Sequence, residues 1–516
     1  MSIKRQVLKN LNWNWAGTLG DTVVAFLLCP YLLTKLGATH YGAWVMIGSL
    51  TGYFGLLDFG IRGSVGRYVA FYRAKNDGQA TSEIVMTAFA LLATAGLIGA
   101  MATSVVAIWA GPIMGSEFGP DDLPALRWAL VLAGINLGLQ LPLNVSEGVL
   151  WGCQRFDQLN SVRMPLDLAR GILSAVVVFF DGGLVALSVV ALALTVIGGI
   201  AKTGLAWRAE PALTFRLGRV DRGRMKEVFS FGIWSTIRSV TTMIPTRVTP
   251  LVVGGLLGVS LVAPLSIAAR LIATASAILV AATGVITPIA TALHAREDHE
   301  RQQDLLVEGG KYSLAAATVM LALFLLLGKS LIHLWVGPEM ALAYPLLALM
   351  AIGRWVSMSQ VVTRGVITAQ AKHRWLALSS MVQAIVTLGL GLALLKPLGV
   401  IGVVLALAVG DAICEGLFSL TFGCKLLGIS PWRYVARITG PTLIALTIPV
   451  TTLTAATWLR PVATWLDLIV YGTSFSVVSV AAVVGWNERP AVGRLLGKLV
   501  RRLQGRGSEG LVGVSN

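Results

Sequence analysis

The chain has 516 residues, of which 55% are hydrophobic and only 13% are charged, and its mean hydropathy is +0.76. Soluble domains carry about 25% charged residues, so this composition excludes an ordinary soluble enzyme and a disordered chain. The net charge of +16 would suit a nucleic acid, but the basic residues lie mainly between hydrophobic runs, and we therefore expect no nucleic-acid partner.

Apolar runs long enough to cross a bilayer recur from one end of the sequence to the other. They predict an all-α, polytopic membrane protein with about fourteen transmembrane helices. In chain order the predicted helices lie near residues 12–35, 40–71, 83–110, 125–149, 161–180, 184–207, 228–252, 261–292, 312–335, 344–369, 375–395, 399–424, 435–458 and 463–486. Short turn sequences such as Asp181-Gly182-Gly183 and Lys396-Pro397-Leu398 predict helical hairpins.

A long basic link near residues 208–227 separates the first six predicted helices from the rest. It predicts an N-lobe of helices 1–6 (1–227), a C-lobe of helices 7–12 (228–430), and two further helices with a basic tail (431–516). Similar residues recur at one offset in the two lobes, namely Trp13 with Trp234 and Leu36-Gly37 with Leu257-Gly258. Such a repeat favours two parallel lobes with a substrate site at their interface.

The loops carry a strongly unequal share of Lys and Arg. Basic residues on the side that holds both termini outnumber those on the other side by roughly five to one. Because cytoplasmic loops are the basic ones, the sequence predicts two cytoplasmic termini and a multi-pass location in the bacterial inner membrane.

Charged residues inside the predicted helices are the most informative ones. A charge at the bilayer centre costs about 2.5–3.5 kcal/mol when it faces lipid, so these side chains should face one another or a watery cavity. Arginine is in surplus among them, which suits an anionic group such as phosphate, since a guanidinium binds two phosphate oxygens in parallel. The candidate substrate-binding residues are Arg62, Arg238, Arg247, Arg270 and Arg354.

Their sequence contexts differ. Arg238, Arg270 and Arg354 have no acidic neighbour three or four residues away on their helices. Arg247 lies between two prolines in what the sequence predicts to be a broken helix. Arg62 follows Asp58 by four residues, so a structural ion pair and a functional role both stay open for it.

Three acids are candidate ion-coupling residues for H+ or Na+: Asp21, Asp411 and Glu415. Asp411 and Glu415 lie four residues apart on one helix face, where two carboxylates can exchange a proton or bind a cation. Pairing of these acids with a nearby arginine is the alternative that we favour.

Other features have structural explanations or are absent. Arg163, Asp167 and Arg170 are spaced as a self-neutralising ladder on one helix. Gly328-Lys329-Ser330 lacks the upstream glycine of a nucleotide-binding loop, and the histidines do not cluster. We therefore expect no cofactor, no metal site and no enzyme activity. The acids of the predicted outer loop, Glu117 among them, are expected to solvate a turn.

One stretch of the sequence resembles a known family. Its segments are Pro30-Tyr31-Leu32-Leu33-Thr34-Lys35-Leu36-Gly37, Tyr41-Gly42-Ala43-Trp44, Gly52-Tyr53-Phe54-Gly55-Leu56-Leu57-Asp58-Phe59-Gly60-Ile61 and Arg67-Tyr68-Val69-Ala70. They resemble the opening of bacterial polysaccharide flippases, the Wzx-like O-antigen and exopolysaccharide exporters of the MATE/MOP transporter superfamily.

The resemblance implies two six-helix lobes around a V-shaped cavity. It implies that the protein flips an undecaprenyl-pyrophosphate-linked oligosaccharide between membrane leaflets by alternating access, for lipopolysaccharide or exopolysaccharide biosynthesis. Membrane lipids and polysaccharide polymerase or export proteins would be its partners. The alternative is a cation-coupled drug or metabolite exporter on the same fold, against which the arginine surplus argues.

The resemblance also bears on single residues. Related peptidoglycan-precursor flippases carry an Ala-x-Arg-Leu whose arginine faces the cavity, and Ala268-Ala269-Arg270-Leu271 matches it. This match implies that Arg270 binds pyrophosphate. Those proteins also have an Arg-Asp pair on helix one, where this sequence has Gly20-Asp21, so the match does not extend to Asp21.

Overall fold

In the computed structural model, the described residues are 3–54, 58, 61–114, 117–213, 225, 248–283 and 286–487. Within these ranges the chain is helical and contains no β-strand. The helices are α1 (Ile3–Phe54), α2 (Ile61–Ala74), α3 (Gly78–Ile108), α4 (Ala110–Met114), α5 (Asp122–Gly152), α6 (Phe156–Phe179), α7 (Gly183–Ala209), α8 (Thr249–Leu256), α9 (Val262–Thr283), α10 (Ile286–Ala295), α11 (His299–Val336), α12 (Ala343–Met358), α13 (Val361–Ala369), α14 (His373–Gly410), α15 (Phe418–Leu426), α16 (Pro431–Leu459) and α17 (Trp465–Asn487). Short 3-10 turns precede α9 (Val259–Leu261) and α12 (Pro338–Met340), and a π-helical turn (Asp411–Leu417) joins α14 to α15.

Two of the longest helices each contain a reversal of the chain at a glycine. In α1, Gly37 has φ 77°, and Cys29 Sγ lies 3.1 Å from Tyr41 Oη. Residues twelve apart in a continuous helix are about 18 Å apart, so α1 is a hairpin of two helical arms.

The same geometry occurs in α14, at Gly399 (φ 59°). A Cβ added to Gly402 would lie 2.4 Å from the backbone oxygen of Leu394. In a continuous helix these residues would be about 12 Å apart. The chain therefore doubles back here too, next to the predicted turn at Lys396-Pro397-Leu398.

Eight stretches of the described residues form helices long and apolar enough to cross a membrane, and the pair α12–α13, bent by 41°, gives a ninth. The hairpin in α14 adds a further span, because it divides one of these stretches into two, and α1 is not among the eight. The predicted all-α polytopic fold with about fourteen transmembrane helices is therefore confirmed.

Pro30 lies inside α1, and a proline there removes the N–H that would bond to the carbonyl four residues earlier. That carbonyl belongs to Phe26. The indole Nε1 of Trp335 donates a hydrogen bond to it at 2.8 Å, and the two aromatic rings stack with centroids 4.5 Å apart. A side chain from the end of α11 thus satisfies the backbone group that Pro30 leaves free.

The segment between α4 and α5 bonds to the turn that precedes α9. Glu117 accepts a hydrogen bond from the Ser260 N–H at 2.9 Å. Gly258 has φ 130°, a conformation that favours glycine. Gly42 in α1 packs so closely that an added Cβ would lie 2.2 Å from the Val259 oxygen. Glu117 therefore binds a backbone turn, which is more specific than the solvating role predicted for it.

The chain packs into two compact units, each of which combines segments that are distant in the sequence. Unit 1 comprises Met1–Thr274, Trp335–Leu346 and Ser380–Leu407, and unit 2 comprises Ala275–Leu334, Leu347–Ser379 and Ala408–Asn516. The predicted segments 1–227, 228–430 and 431–516 stay a prediction.

Candidate functional site

Unit 1 holds a group of three charged side chains from three helices. Glu147 of α5 lies 3.3 Å from Arg62 Nη1 of α2 and 3.5 Å from Lys202 Nζ of α7. Glu147 and Lys202 are each 19% exposed, and Arg62 is half exposed. One carboxylate thus faces two cations, and Asp58 lies close enough to act electrostatically on both Arg62 and Glu147.

Glycines explain why these charges meet. A Cβ at Gly148 would lie 2.9 Å from the backbone oxygen of Arg62, and one at Gly152 would lie 2.7 Å from that of Gly66. The backbones of α2 and α5 therefore approach more closely than other residues would allow. A hydrogen bond of 2.9 Å between Ser146 and Thr203 joins α5 to α7 beside the ion pairs.

Of the predicted ladder of charges on α6, the first ion pair is formed. Arg163 Nε lies 3.4 Å from Asp167 Oδ2. Arg170, the third member, is exposed, and among the described residues it makes no ion pair.

Arg270 lies on α9, at the middle residue of the candidate span Val259–Ala281. Its side chain is exposed and forms no ion pair with any other described residue. It lies close enough to the buried, hydrogen-bonded pair of Cys29 and Tyr41 to act on both electrostatically. A charge at this depth is costly against lipid, so the geometry favours a watery surrounding for Arg270.

Unit 2 holds a second charged group, which contains three predicted site residues. Arg354 Nη2 lies 3.1 Å from Asp411 Oδ2, and its Nη1 lies 3.6 Å from Glu415 Oε2. Arg364 lies 3.8 Å from Glu415 and donates to Ser357 O at 2.9 Å. The Ser357 hydroxyl donates to Glu415 at 2.8 Å. Two arginines and two carboxylates make this group neutral.

Close backbone packing positions this group as well. An added Cβ at Gly353 would lie 2.5 Å from Ala408 Cα, and one at Gly416 would lie 2.6 Å from Val356 Cγ1. The acids lie in the π-helical turn Asp411–Leu417, where the Ser379 hydroxyl donates to the Cys414 carbonyl. π-helical turns often mark functional sites, and the Nε of Arg354 is buried without a hydrogen-bond partner.

The structure therefore brings Arg354 together with two of the three predicted ion-coupling acids, Asp411 and Glu415. The favoured alternative, in which Asp411 and Glu415 pair with an arginine, is what the structure shows. Arg354 can bind an anionic substrate only by releasing at least part of this pairing. Arg238, Arg247 and the side chain of Asp21 lie outside the described part of the chain.

Sequence reasoning did not select Glu147 and Lys202 as site residues. A signal for them exists, because each lies within two turns of the same end of its helix, 5 and 7 residues before Gly152 and Ala209. Opposite charges at matched depth in neighbouring helices are candidates for an ion pair in the membrane.

Comparison with known proteins places the chain in a family. Residues 7–294, more than half of the chain, match the family model described as polysaccharide biosynthesis protein. The chain belongs to this family. A Shigella flexneri protein, provisionally named an O-antigen transporter, is 21% identical over 266 residues, and the match covers 52% of this chain but only 62% of that protein.

Solved structures agree on the fold of this polysaccharide biosynthesis family member. An inward-facing multidrug resistance MATE transporter of the MOP superfamily has a TM-score of 0.68 at 12% identity, over 79% of this chain and 94% of that one. The lipid II flippase MurJ, in an inward closed conformation, has a TM-score of 0.66 at 11% identity, over 93% and 99%. The polysaccharide family that the sequence resembles is confirmed, and these two structures show the fold that the resemblance implies.

Proposed function

We propose that this protein flips an undecaprenyl-pyrophosphate-linked oligosaccharide across the bacterial inner membrane by alternating access, for lipopolysaccharide or exopolysaccharide biosynthesis. Three findings support the proposal: the polysaccharide biosynthesis family, the name of the Shigella flexneri relative and the fold shared with a lipid II flippase. In this proposal both termini are cytoplasmic, as the loop charges predict.

The observation that carries the proposal is Arg270. Its guanidinium is exposed at the middle of a spanning helix and has no ion-pair partner among the described residues. It can therefore bind an anionic group without breaking an existing pair. A pyrophosphate offers oxygens that match the guanidinium with parallel hydrogen bonds. Arg238, Arg247, Arg62 and Arg354 are further proposed ligands.

Energy coupling is a second part of the proposal, with Asp21, Asp411 and Glu415 as the ion-coupling residues. Arg354 occupies the two acids of unit 2 in this structure. When a substrate phosphate draws Arg354 away, the two carboxylates keep only Arg364, which lies 3.8 Å from Glu415, and the excess negative charge favours uptake of H+ or Na+. Polysaccharide polymerase and export proteins are the proposed protein partners.

The test assigns lipid-linked glycan to a leaflet in host cells depleted of this protein. A membrane-impermeant sugar label is applied to intact and to opened cells. We expect the glycan to accumulate on the cytoplasmic side, and Arg270→Ala to fail to restore outward movement. Arg270→Lys should restore part of it, because the charge stays while the bidentate geometry is lost. Arg155→Ala, an exposed arginine in the turn before α6, is the matched control.

The opposite result would be normal arrival of glycan in the outer leaflet without the protein. The flippase proposal would then be wrong, and a cation-coupled drug or metabolite exporter would replace it. The fold shared with a multidrug resistance transporter supports that second candidate.

A further inference from the structure

A polar cavity lies among α5, α6 and α7 of unit 1, and Arg270 is not one of its lining residues. Its volume is about 100 Å³, and its lining includes Gln140, Asn144, Glu147, Arg163, Asp167, Arg170, Thr195 and Lys202. A water molecule needs about 10–15 Å³ of cavity volume. The cavity therefore has room for a polar group several water molecules in size.

We expect the cavity to contain water. Helix α6 has 24 residues, about 36 Å of helix, and Arg163, Asp167 and Arg170 fall at its eighth, twelfth and fifteenth positions. The sequence predicts that α6 crosses the membrane, and three charges in its middle would then cost about 2.5–3.5 kcal/mol each against lipid. Water in the cavity avoids that cost.

The cavity is also electropositive. Glu147 already faces Arg62 and Lys202, and Asp167 faces Arg163. Arg170 has no acidic partner among the described residues, and the described lining holds three cations against two carboxylates. The side chains of Gln140, Asn144 and Thr195 add neutral donors and acceptors.

The walls are preformed. At Gly198 an added Cβ would lie 2.5 Å from Leu166 Cδ1, and at Gly199 it would lie 2.4 Å from Leu143 Cδ1. Side chains of α5 and α6 therefore occupy the space beside the two α7 glycines, and Leu143, Leu166 and Gly198 themselves line the cavity. A preformed wall binds a ligand with less loss of conformational entropy than one that must be ordered first.

We propose that this cavity is a second binding site for the transported molecule, specific for an anionic group that also carries hydroxyls or phosphate oxygens. Arg170 and Lys202 bind the anion, while the amides, Thr195 and the two carboxylates bind hydroxyl groups. The inference rests on the proposed function for the identity of the substrate. Its chemistry has two sources, the pyrophosphate of the lipid carrier and an acidic sugar of the glycan.

The test uses the purified full-length protein in detergent and isothermal titration with three probes: inorganic pyrophosphate, glucuronic acid and glucose. We compare the wild type with Arg170→Gln, which removes a cation without breaking an observed ion pair. Arg208→Gln, an exposed arginine near the end of α7, is the charge-matched control. Loss of one charge-assisted contact should weaken binding of an anionic probe at least about tenfold.

Each result decides the proposal. Weaker pyrophosphate binding in Arg170→Gln, with Arg208→Gln unchanged, supports the carrier as the source, and the same pattern for glucuronic acid supports the glycan. Equal binding in both variants, or no binding of either anionic probe to the wild type, overturns the site. Lys202→Gln, a substitution on α7, repeats the titration with the second proposed anion ligand, and its thermal stability is measured to confirm that the variant folds.

The leaflet assay separates this inference from the proposed function. If the wild type moves glycan outward and Arg170→Gln does so equally well with unchanged binding, the cavity proposal is wrong and the flippase proposal stands. If cells without the protein move glycan normally, the flippase proposal is wrong, and the titrations still decide whether the cavity binds anions.

Discussion

The hydrogen bond from Trp335 to Phe26 leads to a prediction with a built-in internal control. Trp335→Phe keeps an aromatic ring for the stack but removes the indole N–H. The Phe26 carbonyl then loses its donor, because Pro30 supplies no backbone N–H to it. Hydrogen bonds between helices in membranes are worth about 0.6 kcal/mol on average and about 1.7 at most. An unsatisfied buried group costs about 1–3 kcal/mol, so we expect a loss of about 1–2 kcal/mol in the free energy of unfolding.

The control is the same substitution in a second background. In Pro30→Ala, residue 30 regains its N–H, which bonds to Phe26 as in an ordinary helix. Trp335→Phe should then cost little, and the double-mutant cycle should give a coupling energy of about 1 kcal/mol. Trp458→Phe, at a side chain that is 83% exposed, should change nothing.

The free energy of unfolding is measured by titration with SDS in mixed micelles. Labelling of thiols follows unfolding, because Cys29, Cys153, Cys414 and Cys424 are free and buried. Equal costs of Trp335→Phe with and without Pro30 would show that the indole does not replace the missing N–H, and the reasoning would be refuted.

Three further predictions concern close packing, turn geometry and charge pairing. Gly42→Ala should lower the folded yield measured by size-exclusion chromatography, because the added Cβ would lie 2.2 Å from a backbone oxygen. Overpacking of this kind costs about 1–3 kcal/mol. Gly48→Ala is the control, because nothing lies within 4 Å of its Cβ, and equal yields of the two variants would contradict the prediction. Gly399→Ala should cost about 1–2 kcal/mol in the SDS titration because of its φ of 59°, and an unchanged midpoint would count against the hairpin geometry. Asp411→Asn should destabilise by about 1–3 kcal/mol, less than the about 3–5 of a fully broken buried pair, since a second acid stays beside Arg354. Adding Arg354→Gln should restore part of that loss, and purely additive effects would refute the pairing.

The sequence predicts local features of this fold well. The turn at Lys396-Pro397-Leu398 lies next to the reversal at Gly399, and the end of the first predicted helix lies next to the reversal at Gly37. A glycine indicates the reversal in both places, because a positive φ is strained for other residues. The Arg163–Asp167 pair was also predictable, since spacing along one helix fixes which side chains meet.

Partners on different helices were not predictable in the same way. Arg62 has Asp58 four residues away, yet it pairs with Glu147, which is 85 residues distant. Arg354 has no acid near it on its own helix, but it faces two acids from the π-helical turn. Helix spacing contains no information on which helices touch, and glycine-dependent packing sets that choice here.

The number of residues between two paired charges determines how long the first charge is present before its partner is synthesised. Arg62 leaves the ribosome 85 residues before Glu147, a delay of about 4–17 s at typical synthesis rates of about 5–20 residues per second. Arg364 precedes Glu415 by 51 residues, or about 3–10 s.

In both cases the arginine helix is made first, at a cost of about 2.5–3.5 kcal/mol for an unpaired charge in lipid. We therefore expect these helices to stay at the insertion machinery, or against water, until the acidic helix arrives. Slower translation between the two helices would prolong that exposure without altering a single residue.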